Sequence, residues 1–317
     1  VHARDVASLL AALAVCAPAA ALAQQAEPAD EVPVLENFSP LELGVTGAAF
    51  LGMGFFLFAA DEVLPSPTPS MGAPEPGSID WRFTHWANPE PTPEQWLGGV
   101  PDRATYAIPA ITLGIYAAGG IGHALSDDFP LPDTAHEALA FTQALAWTQV
   151  TINTLKYVAG RRRPFTVRED VDTRAIDDDE ADYNLSFPSG HSATAAVTTT
   201  FLALDLGDYL LKGPLDGANE PVRFLVGRAL PLAAAGGLTW TVMYSRIIDQ
   251  RHWLSDTLTG AFIGGAFATA FYVLHFDEDG DPRRRFPSED TPDTQAAVFA
   301  PSISPNGDLH MSYGFVW

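Results

Sequence analysis

Apolar residues run along this chain in six long blocks, divided by polar segments rich in Pro and Gly. The blocks cover residues 43–60, 104–125, 134–156, 192–209, 221–244 and 252–276, each 18 to 25 residues long. Strands rarely reach that length, so each block predicts a helix. Six such helices predict an all-α fold, a six-helix bundle. Only the C-terminal stretch changes character. Residues 298–303 and 309–317 flank Pro305-Asn306-Gly307, which predicts a short β-hairpin.

The segments between the blocks set the domain plan. Residues 1–23 read as an export signal: Arg4, an apolar run over 9–15, then Ala21-Leu22-Ala23 as the cleavage site. Cys16, the only cysteine, falls inside it, so cleavage after Ala23 leaves a mature chain without thiols. Residues 24–42 form a polar, mobile leader, and 43–276 the helical body. That body is interrupted over 61–102 by an irregular insertion with eight prolines from Pro65 to Pro93, with short helices expected near 81–86 and 93–97. Trp81, Phe83, His85 and Trp86 read there as packing anchors. The acidic stretch 166–185 reads as a solvated loop, and 277–317 as an acidic linker followed by the hairpin. Asp277-Glu278-Asp279-Gly280-Asp281 suggests a calcium loop, but Pro282 and Ser288 stand where glycine and a closing acid are required.

Charge narrows the partners. Lys+Arg 17 against Asp+Glu 39 leaves a net charge of −22, which excludes nucleic acid as a partner. The same charge repels phosphorylated molecules at long range. Against it stands one basic group in two pieces: Lys156, Arg161, Arg162 and Arg163, then Arg246 and Arg251.

Three stretches carry candidate chemistry. In Tyr244-Ser245-Arg246 through His252 to Asp256, the last two are four residues apart and share a face if helical. That pair is either a surface contact or a histidine oriented by a carboxylate, with Arg246 adding a fixed cation. Pro188-Ser189-Gly190-His191 precedes an apolar run, so it reads as a turn feeding a helix N-terminus, where free N–H groups favour an anion. Ser189 serves there as a plain cap or as a ligand donor. Lys156 closes a helical run seven residues before Arg163-Pro164, either as a membrane-flanking cluster or as part of an anion site.

Together these residues resemble the type 2 phosphatidic acid phosphatase and vanadium haloperoxidase superfamily. Its three motifs stand in order: Lys156…Arg163-Pro164, Pro188-Ser189-Gly190-His191, and Ser245-Arg246…His252…Asp256, eleven positions in all. The resemblance runs from about residue 139 to 276. It implies a phosphatase in which His252 attacks phosphorus, Asp256 orients it and raises its pKa, and His191 is the general acid. It also implies that Lys156, Arg163, Ser189, Gly190 and Arg246 hold the phosphoryl group. Arg161, Arg162 and Arg251 lie outside the motifs and read as surface or outer-layer groups.

The resemblance implies no metal and no cofactor, with vanadate as an inhibitor. The implied substrate is a phosphorylated lipid, such as phosphatidic acid or an isoprenyl diphosphate, or a small phosphate ester. Two alternatives stay open: a vanadium-dependent haloperoxidase, in which vanadate is the cofactor, and a non-catalytic phosphate-binding bundle. Residues 43–60 and 257–276 are apolar enough to cross a membrane. However, 134–155 carries Thr142, Gln143, Thr148, Gln149, Asn153 and Thr154, and 192–209 carries Asp205 and Asp208. An exported, periplasmic bundle is therefore favoured over a spanning one, with a membrane surface or bilayer as partner and the site outside the cytoplasm.

Overall fold

The computed structural model describes residues 40–64, 70–88, 96–126, 134–167, 183–277, 280–282, 296–303 and 309–316. The expected export signal with Cys16, the leader up to residue 39, the acidic loop over 168–182 and the linker over 283–295 lie outside them. Among the described residues seven helices reach nine residues or more. They are α1 (Pro40–Phe58), α2 (Ile79–Ala87), α3 (Val100–Leu125), α4 (Ala135–Ala159), α5 (Gly190–Lys212), α6 (Leu230–Ile248) and α7 (Leu254–His275). Strands β1 (Ala296–Ile303) and β2 (Leu309–Val316) pair antiparallel, Ala296 opposite Val316 and Ile303 opposite Leu309. The turn residues expected between them lie outside the description.

The helical class stands as expected, but among the described residues seven long helices take the place of the expected six, with α2 lying near the short helix expected at 81–86. Where boundaries differ, a local cause is visible. Helix α3 starts at Val100, four residues before the expected start, because Gly99 turns left-handed (φ 74°) and Pro101 sits in the first turn. Proline is favoured there, its missing N–H being one that a helix start leaves unused. The block over 221–244 divides into Glu220–Phe224, a π-turn at Leu225–Ala229, and α6. In the insertion, Ser78 caps α2 by accepting from the Trp81 N–H, and the second short helix is a 3₁₀ turn at Trp96–Gly99.

Helix α5 is the axis of the bundle and packs against α3, α4, α6 and α7. The core around it is aromatic: Phe141, Phe201, Tyr272 and Phe276 are buried, with the Phe201 ring 5.3 Å from both Phe141 and Tyr272. Each such side chain contributes roughly 1.5–3 kcal/mol by leaving water. Helices α5 and α7 touch backbone to backbone. A Cβ added at Gly260 would overlap the Ser189 carbonyl, and one at Gly264 the Ala193 carbonyl. Outward faces of α3 and α7 carry exposed Ile121, Leu125, Leu258, Phe262 and Val273, and both helices are long and apolar enough to cross a membrane.

Candidate active site

Main-chain hydrogen bonds draw the three motif loops together. Phe165 N donates to Gln250 O (3.2 Å), joining the first loop to the third, and Ser189 N donates to Asp256 O (3.0 Å), joining the second to the third. Arg163 N donates to Tyr183 O (2.9 Å) and Ser186 N to Arg161 O (3.0 Å), pairing the first loop with the chain leading into the second. These bonds satisfy backbone groups that burial would otherwise leave unpaired. Gln250 turns the chain out of α6 at φ 58°, a conformation uncommon for a residue with a side chain. Its amide steadies the turn by donating to Ile247 O (3.1 Å).

Each expected site residue falls within this assembly. Helix α4 ends where Gly160 goes left-handed (φ 53°), leaving Lys156 in its last turn. The lysine Nζ lies 3.6 Å from where a Cβ on Gly190 would stand, beside the N-terminus of α5. Ser189 caps α5: its oxygen accepts from Ser192 N (3.4 Å) and Ser192 Oγ (3.0 Å). The cap and ligand readings are therefore compatible, because a hydroxyl that accepts twice keeps its proton to donate. Arg163 and Arg246 are both buried, Arg246 in the last turn of α6. Its Nε has no hydrogen-bond partner among the described residues, which leaves a buried donor available to an anion.

His252 is buried, and its Nδ1 lies 2.7 Å from the Ser186 carbonyl oxygen. A carbonyl only accepts, so Nδ1 carries the proton and Nε2 keeps its lone pair. The expected direct grip by Asp256 is corrected here. Asp256 Oδ2 lies 3.8 Å from Nδ1, beside the ring but beyond hydrogen-bond reach. Other donors take its oxygens: Arg161 Nη1 (2.5 Å), Ser186 Oγ (2.5 Å) and Trp253 N (2.9 Å). The carboxylate therefore orients the imidazole through Ser186, which bonds Asp256 by its hydroxyl and His252 by its carbonyl.

The electrostatic expectation is reversed as well. Burial pushes the His252 pKa well below its usual range, and Arg163, Arg246, Lys156 and His191 push it the same way. The imidazole is thereby held neutral. His191, in the first turn of α5, is lowered to about 4 by burial and by Arg246, with Asp102 pulling the other way. Asp102, in the first turn of α3, faces His191 Nε2 with Oδ1 at 2.8 Å and takes Arg246 Nη1 on the same oxygen. Tyr106, one turn further along α3, meets the His191 ring edge-on at 5.0 Å. Arg251 lies over Phe165 (5.6 Å), and burial with the Arg163 charge lowers it to about 10.

Of the two expectations for Arg161, a surface or an outer-layer group, the structure gives the second. It is buried, not a surface group, and its guanidinium spans Asp256 and Asp80. Arg162 keeps its main chain in the site, its carbonyl accepting from Trp253 Nε1 at 2.8 Å. Asp102, Ser186 and Asp80 join the site without having been expected there, and Arg161 lies outside the three motifs. For Arg161 a signal was present, since it stands two residues before Arg163 in a run of three arginines. For Asp102 the signal was Pro101 read as a helix start.

The described residues thus define an all-helical body with a neutral, buried imidazole facing a cage of lysine and arginine, and a second histidine close by. Comparison with known proteins shows what this part of the chain is similar to. Residues 137–279 match the model of the PAP2 superfamily. A PA-phosphatase related-family protein of Dictyostelium discoideum is 32% identical over 148 residues, which is 46% of this chain and 51% of that protein. The chain thus spans about half the length of that relative. Among solved structures, the first transmembrane PAP2 type phosphatidylglycerolphosphate phosphatase from Bacillus subtilis aligns over 72% of this chain and 94% of its own, at 19% identity and a TM-score of 0.42.

Proposed function

We propose that this chain is a phosphatase that hydrolyses a phosphate monoester or diphosphate through a phosphohistidine. The observation that carries this reading is the tautomer of His252: Nδ1–H is held by the Ser186 carbonyl, so Nε2 offers its lone pair inside a cationic cage. The Nε2–P bond forms as the P–O bond to the leaving group breaks, and His191 gives that oxygen its proton. His191 then takes a proton from water, which attacks phosphorus and frees His252. Lys156, Arg163, Arg246, the Gly190 N–H and the Ser189 hydroxyl stabilise the charge on the phosphoryl oxygens. Fixed cations perform the electrostatic work, so the reaction is metal-independent, and orthovanadate binds as an inhibitor.

The substrate class follows from the exposed apolar faces of α3 and α7. In this reading α3 and α7 seat the chain at a membrane, where a phosphorylated lipid reaches the site, and the site lies outside the cytoplasm. A water-soluble ester remains the other substrate the cage accepts. The test is turnover of p-nitrophenyl phosphate, phosphatidic acid and an isoprenyl diphosphate by the purified chain and by His252→Ala. Loss of turnover in His252→Ala with an unchanged far-UV spectrum is expected, together with an acid-labile, base-stable phosphoenzyme in the unsubstituted chain. EDTA should leave the rate untouched. Normal turnover in His252→Ala refutes the reading, and bromide oxidation in the presence of vanadate and peroxide would favour the haloperoxidase alternative.

A further inference from the structure

Helix α2 belongs to the Pro-rich insertion, far in sequence from every motif, yet its inner face grips the loop that carries His252. Asp80 accepts from Ser255 N (2.7 Å), Ser255 Oγ (2.6 Å) and Arg161 Nη2 (3.0 Å). Gln250 Nε2 donates to Thr84 O (3.4 Å), and Asn88 Nδ2, just past the helix, donates to Ile248 O (2.6 Å). Trp81 stacks on buried Trp253, the residue after His252, at 5.8 Å. The outer face, Ile79, Arg82 and Trp86, is exposed. Spacings of three and seven residues put those three on one side, opposite the gripping side.

The contacts of Asp80 lead directly to the nucleophile. Arg161 bridges two carboxylates, Nη2 on Asp80 and Nη1 on Asp256, and also reaches Ser255 Oγ at 2.7 Å. Its side chain is only 8% exposed, so each acid compensates a charge that water does not. Asp256 in turn holds the Ser186 hydroxyl, and the Ser186 carbonyl holds His252 Nδ1–H. With Asp80 removed, one arm of the guanidinium loses its partner and Arg161 is free to turn away from Asp256.

We propose that Asp80 is a positioning residue for His252, acting through Arg161, Asp256 and Ser186. It touches no reacting atom. It sets the angle at which Nε2 meets phosphorus, and it makes the insertion part of the working site. The inference rests on the phosphatase reading given above.

The test is Asp80→Asn assayed on p-nitrophenyl phosphate beside the unsubstituted chain and His252→Ala. Misplaced reacting atoms should lower kcat by between about tenfold and a hundredfold. KM and the inhibition constant for orthovanadate should stay within about twofold, since Lys156, Arg163 and Arg246 are unchanged. Asp80→Glu should recover part of the rate. In an Arg161→Gln background, Asp80→Asn should cost nothing further, because the two residues act in series. Where Asp80→Asn does not fold, Ser255→Ala loosens the same link by one hydroxyl and should show the same split with a smaller loss. An unchanged kcat in Asp80→Asn or Ser255→Ala, parallel changes in kcat and KM, or additive losses in the double variant would overturn the positioning role. If His252→Ala keeps its turnover, the phosphatase reading itself falls; if His252→Ala is inactive and Asp80→Asn normal, only the role of Asp80 falls.

Discussion

Asp102→Asn isolates the electrostatics of the anion cage. One oxygen of Asp102 bridges His191 Nε2, at 2.8 Å, and Arg246 Nη1, so a carboxylate occupies donors that the mechanism assigns to the leaving group and the phosphoryl group. Asparagine keeps the shape and removes the charge. A charge-assisted hydrogen bond is worth about 1.5–3 kcal/mol. The Asp102 side chain is 28% exposed, which places the Arg246 contact near the lower end. Freed of that competitor, Arg246 should bind an incoming anion more tightly by about 1.5–2 kcal/mol, or roughly ten- to thirtyfold. The assay is competitive inhibition of p-nitrophenyl phosphate hydrolysis by orthovanadate and by phosphate, with the unsubstituted chain in parallel. Both inhibition constants should drop, while kcat on an alkyl phosphate falls because His191 loses the carboxylate that favours its protonated form. Unchanged or weaker vanadate binding in Asp102→Asn would show that Asp102 supports the cage and does not compete with its ligand.

Two further outcomes follow from the geometry. For pH, His252 must be neutral and its pKa is depressed, so the acid limb of kcat/KM should lie well below the ordinary histidine value of about 6.5. His191 must be protonated and is lowered to about 4, so kcat/KM for an alkyl phosphate should fall as pH rises through that region. The kcat profile should be displaced upward because a bound phosphate dianion offsets Arg246; a kcat/KM optimum above about pH 8 would contradict this. For packing, Gly260→Ala and Gly264→Ala should each cost about 1–3 kcal/mol in thermal unfolding, since the added Cβ meets a backbone carbonyl. Only Gly260→Ala should also lower kcat, because the carbonyl it displaces belongs to Ser189; equal kinetic effects would count against it.

Much of this arrangement was legible from spacing. The blocks of apolar residues located the helices because an aromatic core of Phe141, Phe201 and Tyr272 needs helical periodicity around it. All eight expected site residues come together because the motif positions lie at helix ends, where capping and loop closure leave little freedom. The misses share another cause. Asp80 and Asp102 join the site from the insertion and the first turn of α3, and contacts across that distance in sequence leave no local pattern to read. His252 and Asp256 were read as a direct pair from their spacing of four. In the fold Asp256 lies within the first turn of α7 and accepts the Trp253 N–H, while His252 precedes the helix, so spacing on a single helix does not apply. The sign of the His252 shift was missed because burial cannot be read from neighbouring residues, and here it outweighs the adjacent carboxylate.

The absence of side chains between α5 and α7 also tells an engineer where to cut. Gly260 and Gly264 set the distance between the helix that begins with Ser189 and the helix that holds Asp256, and no library of larger residues can retune that gap without prising it open. Residues 79–106 are different. They meet the fixed half through side chains, Trp81 and Tyr106 among them, and not backbone to backbone. Retargeting this scaffold to a bulkier or differently charged phosphate should therefore begin within 79–106, with Asp80 kept, and leave 186–264 untouched.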